Sequence, residues 1–345
     1  MTDSTPRIGL TRDLLTARGV PAFGTAALAA LGALPWEWLA DSVAEITPGL
    51  AAQYDALCVN APRVTAAAVA RPDCRLRIIA RHGVGYDSVD VAALTRAGIV
   101  LTNTPEAVRR PVATIAVTYV LALAQKLLVK DRLTRTGGWN ARTDHMGQGL
   151  TGKVLGIVGA GSIGRETIRL ARVFDMTILA ADPYADAAAV SALGATLVPL
   201  DTLLARADFV VIACLLTEQT RHLIGAAQLA RMQPSAYLIN VARGPIVDEA
   251  ALIAALQAGR IAGAGLDVFE QEPVDPANPL LAMPNTIVTP HALCWTDECF
   301  DAIATSALSD IAAVMAGRRP RFVVNPEVLT HPRVTAWLTG AAAAR

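Results

Sequence analysis

Between Val154 and Asp182 the chain reads VLGIVGAGSIGRETIRLARVFDMTILAAD. An apolar run ends at Gly159, Ala160, Gly161, Ser162, Ile163 and Gly164; a helical pattern follows, a second apolar run begins at Met176, and an acid closes the stretch. Strand, glycine turn, helix, strand and acid in that order leave few folds open, and the stretch reads as a dinucleotide-binding βαβ unit. Each glycine has its own task. Gly159 permits the tight turn, Gly161 lets backbone approach a pyrophosphate, and Gly164 lets the helix pack close against its strand. The phosphates then rest on helix amides at the positive end of the helix dipole.

Asp182 lies 18 residues beyond Gly164, where an acid holds the two hydroxyls of the adenosine ribose. The residues after it, Pro183, Tyr184, Ala185 and Asp186, supply no Arg or Lys for a 2′-phosphate. The expected cofactor is therefore NAD rather than NADP.

With 345 residues, 53% of them hydrophobic, the chain has material for two domains of ordinary size. Thirty basic and thirty acidic residues give a formal net charge of zero. Such a balance creates no broad basic field for nucleic acid or an anionic membrane, so neither is an expected partner. The N-terminal MTDSTPRIGL lacks the charged and apolar regions of a secretory signal, and no uninterrupted apolar run reaches a membrane span. A soluble, cytoplasmic protein is the expectation. The five cysteines, Cys58, Cys74, Cys214, Cys294 and Cys299, form no CxxC pair, which argues against a disulfide framework or a metal site and for small buried hydrophobes.

Before the glycine turn the pattern alternates strand and helix: strands at Ile8 to Leu10, Ala56 to Val59, Leu76 to Ala80 and Ile99 to Leu101, helices at Thr25 to Leu31 and Val64 to Ala70. Asn103, Thr104 and Pro105 punctuate the chain ahead of a long apolar helix from about Pro111 to Val129. After the turn, strands are expected near Thr196 to Val198, Phe209 to Ala213, Ala236 to Asn240, Ala262 to Leu266 and Thr286 to Val288, and a last long helix at Trp295 to Ala316. The fold class that follows is α/β, with two Rossmann-like domains built on doubly wound parallel sheets. A discontinuous substrate domain, residues 1–104 plus 297–345, is expected to flank a nucleotide domain, 105–296. An interdomain cleft is then the expected active site.

Three loops past predicted strands carry chemistry: Asn240 to Gly244, Leu266 to Pro273, and Thr289 to His291. Loops past the carboxyl ends of strands surround the ligand in such sheets. Arg243 can grip a carboxylate with two parallel hydrogen bonds and polarise the adjacent carbonyl. His291 can exchange the hydroxyl proton during hydride transfer, and Glu272 can orient its ring and favour the protonated form. Asp267 suits by type the nicotinamide amide.

These motifs together resemble the D-isomer-specific 2-hydroxyacid dehydrogenases, a group that includes D-lactate, glycerate, formate and phosphoglycerate dehydrogenases. The resemblance spans roughly Ala80 to Pro326. It rests on ArgHisGlyValGlyTyrAspSerValAsp, on GlyAlaGlySerIleGly with Asp182, on AsnValAlaArgGly, and on LeuAspValPheGluGlnGluPro followed by ThrProHis. It implies that Arg243, Glu272 and His291 form the catalytic trio and that the amides of Val84 and Gly85 grip the substrate carboxylate. It also implies NAD contacts from Ser162, Ile163, Asp182, Val241 and Asp267, and a homodimer.

Two departures from the family pattern bear on substrate. Val108, Arg109, Arg110 and Pro111 stand near the interdomain hinge, where an extra anionic group on the substrate and a solvated helix start with ion pairs are both open readings. Ala292, Leu293, Cys294 and Trp295 replace a small, glycine-containing segment after the histidine. Cys294 reads as packed rather than reactive. His82 is either a second ligand contact or a loop residue, and His145 and His222 read as loop or surface histidines. Besides a dehydrogenase, a nucleotide-sensing corepressor and hydride transfer from a donor such as phosphite remain open at this stage.

Overall fold

The computed structural model describes residues 5–340. The chain forms two compact units: residues up to Val108 together with those from Trp295 onward, and Arg109–Cys294.

The first unit holds a five-stranded, all-parallel sheet. Its strands are β1 (Ile8–Leu10), β2 (Trp36–Trp38), β3 (Ala56–Val59), β4 (Ile78–Arg81) and β5 (Val100–Thr102), in the order β2-β1-β3-β4-β5. Parallel sheets are covered on both faces, and β1, β3 and β5 are buried from end to end. Alternate residues face opposite layers. Ala56, Cys58, Ile78 and Ala80 join a core completed by Phe300, Ala304, Leu308 and Ile311 of the helix Asp297–Met315. Leu57, Val59, Ile79 and Leu101 join the opposite core with Ala68, Ala93 and Leu94. The late helix Asp297–Met315 therefore belongs to the first unit because its apolar stripe covers that sheet.

The second unit holds a seven-stranded parallel sheet made of β6 (Val154–Val158), β7 (Thr177–Ala181), β8 (Ala195–Leu197), β9 (Phe209–Ile212), β10 (Tyr237–Asn240), β11 (Gly263–Leu266) and β12 (Thr286–Val288). The order is β12-β11-β10-β9-β6-β7-β8. Strand order reverses between β6 and β9, the switch point beside which such sheets bind ligands.

The structure departs from the sequence expectations in three places. The apolar stretch after Asn103 is not one helix from 111 to 129 but two, Pro105–Ala124 and Leu127–Arg135, separated where Lys126 takes a left-handed φ of 51°. Thr25–Leu31 and Ala66–Val69 are 3₁₀ rather than α-helical. Strand β2 escaped the periodicity because it is a half-exposed edge of three residues. Helix Pro105–Ala124 has the length and the mean hydropathy, 1.4, of a membrane-crossing segment, and half of it is buried. Its Tyr119 is fully buried, 2.5 Å from where a β-carbon on Gly265 of β11 would lie, so the helix packs directly on the sheet.

Candidate active site

Strand β6 delivers the chain to Gly159, whose φ of +97° and whose distance of 2.5 Å from a built β-carbon to the Cys214 backbone admit no side chain. At Gly164 a β-carbon would stand 2.0 Å from the Gly159 carbonyl oxygen, so the helix Ser162–Ala171 lies against the turn only because that position is bare. Gly161 differs. A β-carbon there would meet nothing within 4 Å, so its bareness serves no contact within the protein and keeps open the approach a pyrophosphate needs. Gly161 is the N-cap, with Ser162 and Ile163 in the first turn of a ten-residue helix.

Asp182 follows β7 and ties the turn to the sheet: Ala160 N donates to Oδ2 at 2.8 Å and Tyr184 N to Oδ1 at 2.9 Å. A carboxylate offers about four lone-pair sites, so each oxygen keeps one for a ribose hydroxyl. Beside it a largely apolar cavity of about 560 Å³ is lined by Val158, Ala181, Pro183, Val198 and Leu223 among others, a surface suited to an adenosine. The residues present fit NAD. Burial pushes the nearby Cys214 thiol up to about 11, which leaves it inert, and all five cysteines are unbridged. Among the described residues no cluster of His, Cys, Asp and Glu is arranged to hold a metal.

Arg243, Glu272 and His291 stand on loops that follow β10, β11 and β12. Asn240 Nδ2 donates to the Arg243 carbonyl at 2.9 Å and Asn240 Oδ1 accepts from Ala242 N at 3.1 Å, a clasp that shapes the arginine's turn. Gly244 then lies against the Phe269 carbonyl, where a β-carbon would come within 1.9 Å. That contact locks the Arg243 loop onto the segment leading to Glu272. Val241 is buried in the same turn.

Glu272 is held at both ends of its carboxylate. Phe269 N donates to Oε1 at 3.0 Å, and Oε2 lies 2.7 Å from His291 Nδ1. Burial works against the Glu272 charge, but the His291 ring, the Phe269 amide and Arg243 outweigh it, and the carboxyl is held below its usual range. With Nδ1 occupied, the ring presents Nε2 outward. His291 itself has φ 54°, a conformation uncommon for a residue with a side chain and typical of functional loops.

The sequence reading missed what holds that conformation. Asp267 is buried, and its Oδ1 accepts from Thr289 Oγ1 at 2.5 Å and from the amides of Ala292 and Leu293 at 3.2 Å each. Tyr119 donates to Thr289 Oγ1 at 2.6 Å, completing a relay from helix to loop. The Thr-Pro-His spacing was the available signal, since Thr289 next to a proline turn has few roles but an internal hydrogen bond.

In the first unit the loop after β4 carries Val84 and Gly85. Three successive carbonyls are engaged: His82 by Arg81 Nη1, Gly83 by Thr104 N at 3.0 Å, and Val84 by Asn103 Nδ2 at 2.8 Å. Among the described residues no acceptor takes the Val84 or Gly85 amide. Loop carbonyls turned to protein and amides left over make a concavity suited to an anion. His82 is buried instead of facing a ligand, its ring 5.1 Å from Phe300 and 6.0 Å from Phe23. Arg110 is engaged at 2.8 Å by Glu166, which also binds Arg169, while Arg109 is exposed with no side-chain partner among the described residues. His222 lies on the surface, paired with Glu270.

Residues 117–292 match the family model described as "D-isomer specific 2-hydroxyacid dehydrogenase, NAD binding domain". The chain belongs to that family. It is 42% identical over 258 residues to a glyoxylate reductase of Korarchaeum cryptofilum, covering 74% of this chain and 78% of the relative. It is 37% identical over 273 residues to a D-3-phosphoglycerate dehydrogenase of Archaeoglobus fulgidus, covering 79% of this chain and 52% of that relative. A crystal structure of a glyoxylate reductase from Paecilomyes thermophila matches with a TM-score of 0.81 and 29% identity, covering 94% of this chain and 99% of that one. This 2-hydroxyacid dehydrogenase is thus an NAD-dependent enzyme that interconverts a 2-hydroxyacid and its 2-keto acid. That outcome favours the dehydrogenase over the corepressor and phosphite alternatives.

Proposed function

We propose that this 2-hydroxyacid dehydrogenase reduces glyoxylate and similarly small 2-keto acids, with Arg243, Glu272 and His291 as its catalytic residues. One observation carries the mechanism: the Glu272 carboxylate fixes His291 Nδ1 at 2.7 Å, which commits Nε2 to the substrate oxygen. In the reductive direction Nε2 delivers a proton to the keto oxygen, and Glu272 stabilises the ring's positive charge beforehand. Bound NADH supplies the hydride to the keto carbon. The Arg243 guanidinium holds the substrate carboxylate and draws electrons from the neighbouring carbonyl. With NAD bound, Gly159, Gly161, Ser162, Ile163 and Gly164 would hold the pyrophosphate and Asp182 the ribose, while Val241 and Asp267 would serve the nicotinamide end.

Small substrates are supported by the glyoxylate reductases among the relatives. The test is a steady-state scan with NADH over glyoxylate, pyruvate, hydroxypyruvate and a phosphorylated 2-keto acid. Highest kcat/KM on glyoxylate is expected; a clear preference for the phosphorylated acid would overturn the assignment.

The enzyme is further proposed to be a cytoplasmic homodimer. Leu127, Leu128, Trp139 and Met146 are large apolar side chains left exposed on neighbouring segments of one chain, which supports a second copy covering them. Light scattering that reports a monomer at micromolar concentration would refute it.

A further inference from the structure

The first unit has a second concavity at the end of its sheet opposite the Val84 loop. Asp55 immediately precedes β3, and Arg75 and Arg77 lie just before β4, whereas Val84 and Gly85 follow β4. Four residues of strand, about 13 Å, separate the two ends. With Arg333, Ala336 and Trp337 of the C-terminal helix Pro332–Gly340, these residues line a cavity of about 310 Å³.

The donors there divide into those already used and those left over. Arg75 Nη2 is 2.8 Å from Asp55 Oδ2, which also accepts from Arg7 N at 2.9 Å. Arg333 donates to the Cys74 carbonyl at 2.8 Å and to the Ala97 carbonyl at 3.1 Å, so its bonds are spent on neutral groups while its charge is not neutralised. The Arg77 guanidinium has no side-chain partner among the described residues. Trp337 contributes an apolar wall, because its indole nitrogen is closed off from the cavity. Three guanidinium groups thus face one carboxylate around a single cavity, and the Arg77 donors are left for a ligand. A guanidinium without a carboxylate partner pairs phosphate oxygens through parallel hydrogen bonds.

We propose that this cavity binds a phosphate group, as free phosphate or as a phosphomonoester, through Arg77, with Arg75 and Arg333 supplying fixed positive charge. A dianion matches the surplus of two positive charges, and its oxygens are acceptors only, which is what the leftover donors lack. Nothing in the hydride-transfer chemistry uses these residues, so the site is separate from the catalytic one.

The test is calorimetric titration of the full chain, saturated with NADH so that the pyrophosphate turn is occupied, with inorganic phosphate at ionic strength fixed by chloride. Glycerol phosphate serves as the ester in a second arm. Saturable binding of one phosphate per chain is expected, weakened about tenfold or more by Arg77→Gln and by Arg75→Gln, with glyoxylate turnover and NADH affinity unchanged. Tighter binding of the ester identifies a phosphomonoester as the ligand, and tighter binding of phosphate identifies the free ion. Absence of saturable heat, or heat undiminished in both variants, overturns the site.

Discussion

A β-carbon on Gly244 would lie 1.9 Å from the carbonyl of Phe269, so the turn that carries Arg243 and the segment that leads to Glu272 are in backbone contact. Two of the three proposed catalytic residues are therefore fixed relative to each other by a missing side chain. In Gly244→Ala one of the loops must retreat, and displacement of about 1 Å at a catalytic group costs on the order of 100-fold in rate. Turnover should fall by that amount, with the NADH dissociation constant little changed because the Gly159 turn is untouched. Equal turnover in variant and wild type would show that the loop contact does not position Arg243.

Glu272→Gln keeps a hydrogen-bond acceptor for His291 Nδ1 but removes the charge that favours the protonated ring. The kcat should fall by about 10² or more, the scale of acid/base contributions, while the KM for NADH stays put. The sign with pH is set by Glu272 lying below its ordinary value of 4.5. A carboxylate lowered by folding contributes fully above its unfolded value and is lost only as pH falls through the lowered one. Wild-type enzyme should therefore keep Glu272 ionised at pH 5, and the carboxyl carbon of Glu272 followed by NMR should show the carboxylate shift from pH 7 down to pH 5. A protonation step within that range would mean that the His291, Phe269 and Arg243 contacts do not outweigh burial.

The role proposed for Asp182 is to discriminate between the two nicotinamide cofactors. Both of its oxygens receive backbone amides, at 2.8 and 2.9 Å, so the carboxylate is pinned where a 2′-phosphate would meet like charge. Asp182→Ser removes ribose acceptors and that repulsion together. NADH should bind about 10 to 100 times more weakly, the scale of one or two hydrogen bonds to a charged group, and the NADPH to NADH ratio of kcat/KM should rise. Wild-type enzyme that used NADPH as well as NADH would contradict the assigned role.

Much of this site was legible in the sequence because chemistry and backbone demanded particular residue types at fixed spacing. The Gly159, Gly161 and Gly164 pattern could be read since each glycine answers a separate steric requirement, and Arg243, Glu272 and His291 stood out by following strands. The supports were not legible. Tyr119, Thr289 and Asp267 form one relay although 170 residues separate the tyrosine from the threonine, and nothing in the residues around Tyr119 announces a partner so distant. The break at Lys126 was hidden for the opposite reason: the apolar pattern runs on through it, and only a left-handed residue, which side-chain periodicity does not report, ends the first helix. Strand β2 was lost because three half-exposed residues carry too little alternation to register.

His82 provides the last prediction, because its environment makes the first unit sensitive to acid. Burial between Phe23 and Phe300, together with the charge of Arg81, pushes its pKa down to about 3, and its Nε2 has no hydrogen-bond partner. In the unfolded chain the same ring takes up a proton near its ordinary value of about 6.5. Between those two values the unfolded state binds more protons than the folded one, so stability rises with pH across the window. The neutral ring's contribution is complete above about 6.5 and erodes by about 1.4 kcal/mol per pH unit below it. His82→Leu removes the titrating group while keeping an apolar side chain between the two phenylalanines. Its Tm should fall less than the wild-type Tm between pH 7 and pH 5, by several degrees on the scale of a domain this size. Parallel falls in the two proteins would mean that His82 is not the group through which acid destabilises the unit.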